Sequence, residues 1–216
     1  MDKNDLLIKT ELFVKSHLEG ESSGHDWWHI FRVRKLALLI ARYESADLFL
    51  VELAALLHDV DDWKLNPDSA DGRKAENWLR SCNVDNHITE RICSIIEGVS
   101  FKGAGVSTAT SDPECKVLQD ADRLDALGAI GIARTFAFGG SRGRCIFDPG
   151  ISPEMHAGFG NYRKSKGPTI NHFYEKLLLL KNQMQTPSGR VLAEQRHQFM
   201  LLFLDQFYAE WNCQNI

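Results

Sequence analysis

Four residues spread over the first 122 positions, His29, the adjacent pair His58-Asp59, and Asp122, are of the types that together hold one divalent metal ion. Two imidazoles and two carboxylates leave open positions on a six-coordinate ion. The chemistry that follows is hydrolysis, because such an ion lowers the pKa of water and polarises the oxygen of the bond under attack. Spacing alone does not select these four, since a chain with 8 His and 29 Asp plus Glu offers many such sets. The selection comes from their local contexts.

His58-Asp59 closes the run Leu53-Ala54-Ala55-Leu56-Leu57, which is apolar on every face and predicts a helix buried all round. An ionised carboxylate at the end of such a helix costs roughly several kcal/mol to bury unless a cation or hydrogen bonds compensate. The bland alternative has the pair surfacing into the turn before Asn66-Pro67, with His58 satisfied by a backbone carbonyl. His29 heads the series Val33, Leu36, Ile40, with Ile30 and Ala37 adjoining, so on a helix it shares the core-facing stripe. Asp122 follows Val117-Leu118 and precedes Leu124, Leu127 and Ile130, again on a mostly apolar face. Asp125, one turn later on that face, stays open as an alternative fourth ligand. His25 and His29 could pair at i, i+4, but Gly24 and Trp27-Trp28 place residue 25 at the start of the helix, where it would line the pocket.

Apolar residues recurring at three and four predict helices near 3–18, 28–43, 48–59, 70–81, 86–98, 113–137, 169–184 and 188–212. Alternating β-type patterns are missing almost everywhere, so the fold expected is all-α. Asp47 and Ser188 are the caps expected for the helix before His58 and for the last helix, and Pro113 suits a first turn. The 216 residues, 44% hydrophobic and 25% charged, are enough for one compact domain. Its expected parts are a metal-binding core over about 24–137, a loop over 139–168, and C-terminal helices over 169–212. That loop breaks the helical pattern with Gly139-Gly140, Gly143, Gly150, Gly158, Gly160 and Gly167, and it carries Arg142, Arg144, Arg163, Lys164 and Lys166. Glycine and cations together suit phosphate, which makes the loop a candidate substrate lid.

The residues around the four ligands resemble the HD-domain phosphohydrolase superfamily, which has a His, then a His-Asp pair, then a distant Asp. The likeness extends to Gly24-His25-Asp26-Trp27-Trp28-His29, Leu57-His58-Asp59-Val60-Asp61-Asp62 and Gln119-Asp120-Ala121-Asp122-Arg123-Leu124-Asp125-Ala126. It is similar to the small single-domain bacterial branch and runs from about Gly24 to Leu180. Later stretches in common are Gly139-Gly140-Ser141-Arg142 and Asn171-His172-Phe173-Tyr174-Glu175-Lys176. The resemblance implies an all-α HD fold and a single divalent ion on His29, His58, Asp59 and Asp122. The ion expected first is Mn²⁺, with Mg²⁺, Co²⁺, Ni²⁺, Fe²⁺ and Zn²⁺ as alternatives.

The resemblance also assigns roles. Asp62, at i+4 from His58, occupies the place of an acid implicated in catalysis in stringent-response-type HD hydrolases. Trp63 departs from that pattern, where a second acid stands, and this weakens any carry-over to guanosine tetraphosphate. His25, Lys64, Arg123, Arg142 and Lys176 are the candidate substrate contacts. The substrate implied is a phosphate compound, a nucleotide first, with pyrophosphate released from a (deoxy)nucleoside triphosphate. A 5'-nucleotidase or cyclic nucleotide phosphodiesterase is the alternative within the class, and a non-catalytic metal-dependent nucleotide sensor the alternative outside it. A second metal, as in a cyclic-dinucleotide phosphodiesterase or a di-iron oxygenase, would need further ligands, and His87, His156 and His197 have no suitable context.

Charge and cysteine usage narrow the surroundings. A net charge of −4 argues against a general nucleic-acid surface, which needs a basic face. The five cysteines form no C-x-x-C pair and are odd in number, as expected of reduced thiols in the cytoplasm. The longest apolar stretch, near Leu48 to Leu57, carries Glu52 and is too short for a bilayer. A monomer or homodimer is expected, with no membrane partner.

Overall fold

In the computed structural model, which describes residues 1–18, 26–61, 73–99, 109–154 and 167–214, the apolar run before His58 is the helix α3, Leu48–Leu57. Val51, Leu53, Ala54, Ala55, Leu56 and Leu57 have no solvent exposure. A helix buried on all faces needs neighbours on all sides. α3 has α1 (Lys3–His17), α2 (Trp27–Tyr43) and α5 (Asn86–Val99) against it. Asp47 caps it as expected, its carboxylate accepting from Phe49 N–H at 2.8 Å and Leu50 N–H at 3.1 Å.

The remaining helices are α4 (Lys74–Ser81), α6 (Pro113–Asp125), α7 (Gly128–Ser141), α8 (Asn171–Glu175), a 3-10 helix over Leu177–Gln183, and α9 (Pro187–Trp211). No strand occurs among the described residues, and the all-α class expected from the sequence is what the structure shows. No described helix is long and apolar enough to cross a membrane. The chain gathers into two compact units. One contains α1 to α5 and α6 as far as Asp122, and the other the described residues from Arg123 onward.

In the first unit, α4 is fastened to α1. Trp78 lies flat on Phe13, with ring centroids 4.1 Å apart and planes 5° from parallel, and its Nε1–H donates to Thr10 Oγ1 at 2.9 Å. Arg34 of α2 donates to Glu52 of α3 at 2.8 Å and to Glu11 of α1 at 2.7 Å, tying three helices on one side. α6 begins at Pro113, as expected, and Asp112 caps it by accepting from Cys115 N–H at 3.0 Å.

Several boundaries differ from the expectation. The single helix expected over 113–137 is two: α6 ends at Asp125, Leu127 is extended (φ −114°, ψ 159°), and α7 starts at Gly128, whose left-handed φ of +71° suits a glycine. The helix expected over 169–184 is broken at Lys176, whose φ of −144° lies outside the helical region. Thr186 caps α9 in place of Ser188, its Oγ1 accepting from Gly189 N–H at 2.9 Å, and Pro187 then occupies the first turn.

The expected loop over 139–168 starts later, since α7 continues through Gly139-Gly140-Ser141. Glycine serves α7 there because a Cβ on Gly139 would lie 2.3 Å from Thr169 Oγ1. The described start of the loop is also anchored. Cys145 O accepts from Thr169 N–H at 2.9 Å, Ile146 O accepts from Ile170 N–H at 3.0 Å, and Phe147 meets Phe207, Tyr208 and Trp211 of α9 edge-on. A lid role for residues 142–154 has to contend with these ties. Residues 155–166, with Arg163, Lys164 and Lys166, lie outside the described residues.

Two α7 glycines respond oppositely to a methyl group. A Cβ on Gly131 would sit 2.2 Å from the Ala126 carbonyl oxygen, so Gly131→Ala is expected to cost about 1–3 kcal/mol. Gly140 has nothing within 4 Å of its Cβ position, and Gly140→Ala is expected to stabilise by about 0.5 kcal/mol through helix propensity. Thermal melts of both variants check the opposite signs.

Candidate metal centre

The site is assembled from the first turn of one helix, the exit of a second and the body of a third. Asp26 caps α2, its Oδ1 accepting from His29 N–H at 2.9 Å, so the cap directly orients the residue carrying the first imidazole. His29 is 1% exposed. His58 and Asp59 follow α3 in a turn closed by Val60 N–H on Leu57 O at 3.2 Å, and both are buried. Asp122 projects from α6 with 36% of its side chain exposed.

Donor atoms of His29, His58 and Asp59 lie within 4.8 Å of one another. His29 Nε2 is 3.3 Å from Asp59 Oδ2 and 3.4 Å from Asp122 Oδ1, and His58 Nε2 is 3.5 Å from Asp59 Oδ1 and 4.0 Å from Asp122 Oδ1. Metal–ligand bonds of about 2.0–2.2 Å put two donors of one ion no more than about 4.4 Å apart. All four imidazole–carboxylate separations lie inside that limit, and the donors close to one another as a group are those of His29, His58 and Asp59.

The His58 ring gives the clearest sign of fit. Its Nδ1 is 2.9 Å from the Ala55 carbonyl oxygen, and because a carbonyl only accepts, the proton is on Nδ1. In the neutral ring Nε2 is then the lone-pair nitrogen, and it is buried and without a hydrogen bond among the described residues. Leaving such a group unsatisfied costs about 1–3 kcal/mol. A ligating imidazole has this arrangement, with the second nitrogen held by a carbonyl that sets tautomer and ring angle. The backbone carbonyl of the bland reading is therefore present, and it supports ligation.

Asp122 is held ready as an anion. Burial pushes its pKa up, but hydrogen bonding and charge from His29, with help from His58, outweigh both that push and the repulsion of Asp59, and leave the carboxyl at about 2. Asp125, the alternative ligand, is differently engaged. It is 1% exposed and its Oδ2 accepts from Arg134 Nη1 at 2.6 Å.

The candidate substrate residues fall in several places. His25, Asp62 and Lys64 lie outside the described residues. Arg123 is buried, with Nη1 donating to the Gln183 carbonyl at 2.6 Å, a contact that braces the end of the 3-10 helix. Arg142 is exposed at the end of α7, its guanidinium 5.4 Å from the centre of the Phe138 ring, and Arg144 approaches the same ring at 5.8 Å. Lys176 is half-buried at the break after α8. Burial first, then the charges of Lys176 and Arg144, push the His172 pKa down to about 3, so that ring is neutral beside two cations.

Two contributors were not singled out from the sequence. Asp26 stands three residues before His29, a spacing that signals an N-cap. The Ala55 carbonyl is a backbone atom and leaves no sequence signal.

Comparison with known proteins places the chain in a family. The HD domain family model matches residues 27–127. Bacillus subtilis YpgQ, an uncharacterized protein, is 43% identical over 197 residues, spanning 90% of this chain and 88% of YpgQ. The chain belongs to the HD superfamily. An HD-superfamily hydrolase from Bacillus thuringiensis superposes with a TM-score of 0.78 at 44% identity, over 98% of this chain and 99% of that one. A Lactobacillus plantarum protein superposes at 0.83 with 39% identity, over 99% and 100%. YpgQ has also been solved in complex with ADP, and that structure superposes at 0.76 with 38% identity, over 94% and 97%. This HD protein is accordingly a hydrolase by family.

Asp122 and Asp125 are separable by substitution. Asp122→Ala is expected to raise the Mn²⁺ dissociation constant at least tenfold with a small change in melting temperature. Asp125→Ala removes the carboxylate that accepts from Arg134 Nη1 and is expected to lower the melting temperature with Mn²⁺ affinity retained. Titration calorimetry and thermal melts of the two variants read this, and equal affinity losses would return Asp125 to the ligand set.

Proposed function

We propose that this HD protein is a metal-dependent phosphohydrolase acting on nucleotides, releasing pyrophosphate from a (deoxy)nucleoside triphosphate. The observation that carries the reading is the bare, buried Nε2 of His58 beside His29, Asp59 and Asp122. These four residues would hold one divalent ion, Mn²⁺ in first place. When bound, that ion supplies Lewis-acid chemistry, making water acidic and phosphoryl oxygen electrophilic.

The chain's own side chains would do the rest. Ala55 O holds Nδ1–H of His58, so that Nε2 is the nitrogen turned to the centre. Asp122 stays ionised through neutral pH and offers a ready carboxylate. Asp62 is proposed to take the proton from the attacking water, by its place in the HD pattern. His25, Lys64, Arg142 and Lys176 are proposed to carry the phosphates. Arg123 remains a candidate contact, although its Nη1 already serves the Gln183 carbonyl. The ADP complex of YpgQ supports a nucleotide over other phosphate compounds.

The test loads metal-free protein with Mn²⁺, Mg²⁺, Co²⁺ or Ni²⁺, presents a nucleotide panel, and separates pyrophosphate from orthophosphate release. Mn²⁺-dependent pyrophosphate release is expected, with Asp59→Ala reduced by about 10³-fold or more. Orthophosphate from monophosphates would move the reading to a 5'-nucleotidase. Binding of nucleotide without turnover would make the protein a sensor.

A further inference from the structure

Three acids stand within four residues at the end of the His-Asp motif, Asp59, Asp61 and Asp62, and the structure separates the role of Asp61 from that of its neighbour Asp59. Both oxygens of Asp61 are taken by the N-terminus of α4. Oδ1 accepts from Lys74 N–H at 2.7 Å and Oδ2 from Ala75 N–H at 3.1 Å. The residue at the formal cap position, Arg73, makes no side-chain capping bond. Asp61 therefore caps a helix that begins 13 residues later in the chain. A cap from a remote residue stabilises the helix end like a local one, and it also fixes the backbone from which the carboxylate comes.

What α4 offers in return is a fixed point. Its far side is held to α1 by the Trp78 stack on Phe13 and the Trp78 bond to Thr10, and Lys74 Nζ lies 3.3 Å from His17 Nε2. Ala75 and Leu79 are buried. Between the end of α3 and Asp61 the chain has only three residues, His58, Asp59 and Val60, and Val60 is itself fully buried and bonded back to Leu57. The two donors of the motif thus sit in a short span tied down at both ends, by α3 on one side and by α4 through Asp61 on the other.

We infer that Asp61 is a positioning residue, which sets the carboxylate of Asp59 in the metal centre by anchoring the outgoing chain to the N-terminus of α4. The inference rests on the metal-centre reading above and adds to it a residue that touches neither ion nor substrate. Removing the anchor leaves α3 and His58 in place but lets the backbone after Asp59 turn. The loss therefore falls on metal affinity and turnover, and substrate KM stays near the native value. Outer partners of metal ligands typically change affinity or activity about 10–100-fold.

The test compares Asp61→Ala, Asp61→Asn and a control, Asp85→Ala. Asp85 caps α5 in a similar way, accepting from His87 N–H at 2.9 Å and Ile88 N–H at 3.4 Å. Mn²⁺ affinity is measured by calorimetry on the metal-free full chain, alongside melting temperature and the kcat and KM of the Mn²⁺-loaded protein. Asp61→Ala is expected to weaken Mn²⁺ about tenfold and to lower kcat with KM unchanged. Asp61→Asn, which keeps one acceptor but sets an amide NH2 against the second N–H, should fall between and is measurable if the alanine variant does not fold. Asp85→Ala should lower the melting temperature alone. Equal melting losses in Asp61 and Asp85 variants with native Mn²⁺ affinity would overturn the inference and make Asp61 an ordinary cap. A wild-type chain that binds Mn²⁺ yet hydrolyses no phosphate compound removes the proposed activity, and the affinity comparison still decides the role of Asp61. A wild-type chain that binds no divalent ion overturns both.

Discussion

The bond between His58 Nδ1 and the Ala55 carbonyl, 2.9 Å long, decides which way the buried imidazole can act. Ala55 lies inside α3, a helix with no solvent exposure along most of its length, so this carbonyl cannot shift without disturbing the first unit's core. Its rigidity is passed to the ring, and the ring can present only Nε2 toward His29, Asp59 and Asp122. The centre is thus built outward from the most buried helix of the unit. Asp26 does for His29 what Ala55 does for His58, except that it orders the backbone of a helix start rather than the ring itself.

Cooperation among these groups is electrostatic as well as steric. Two carboxylates and two imidazoles gathered at the centre repel in like pairs and attract in unlike pairs. Asp122 shows the balance, since its ionised form is favoured by the histidines against the opposition of Asp59. A dication would satisfy both carboxylates at once, which no single protonation of an imidazole can do.

Much of this was legible in the chain. The all-round apolar run of α3, the core-facing stripe of His29 and the cap at Asp47 follow from residue types and periodicity, because burial and capping leave patterns within one or two turns. The break at Gly128 was hidden, since a glycine inside an apolar periodic stretch reads as a tolerated defect until its φ is known. Gly139-Gly140 misled in the opposite direction. Two glycines suggest a loop, yet α7 runs through them, and at Gly139 the Thr169 side chain comes too close for a Cβ. Within the centre, the residue types of the four candidate ligands and their places on helices could be read directly. The carbonyl of Ala55 and the distant capping bonds of Asp61 could not, because the first is a backbone atom and the second joins positions 13 residues apart in the chain.

The seat of Phe147 against Phe207, Tyr208 and Trp211 constrains how this family member can vary over time. Only five residues separate the end of α7 from that ring, and two of them also bond to Thr169 and Ile170. An inserted or deleted residue between Gly143 and Ile146 would pull the ring from its aromatic setting or break both backbone bonds. The ties continue past the ring, with Ile151 O accepting from Asn171 Nδ2 at 3.0 Å and Glu154 N–H donating to Glu175 Oε1 at 3.1 Å, so residues 142–154 should keep a fixed length among homologues while the second unit's helices keep their register.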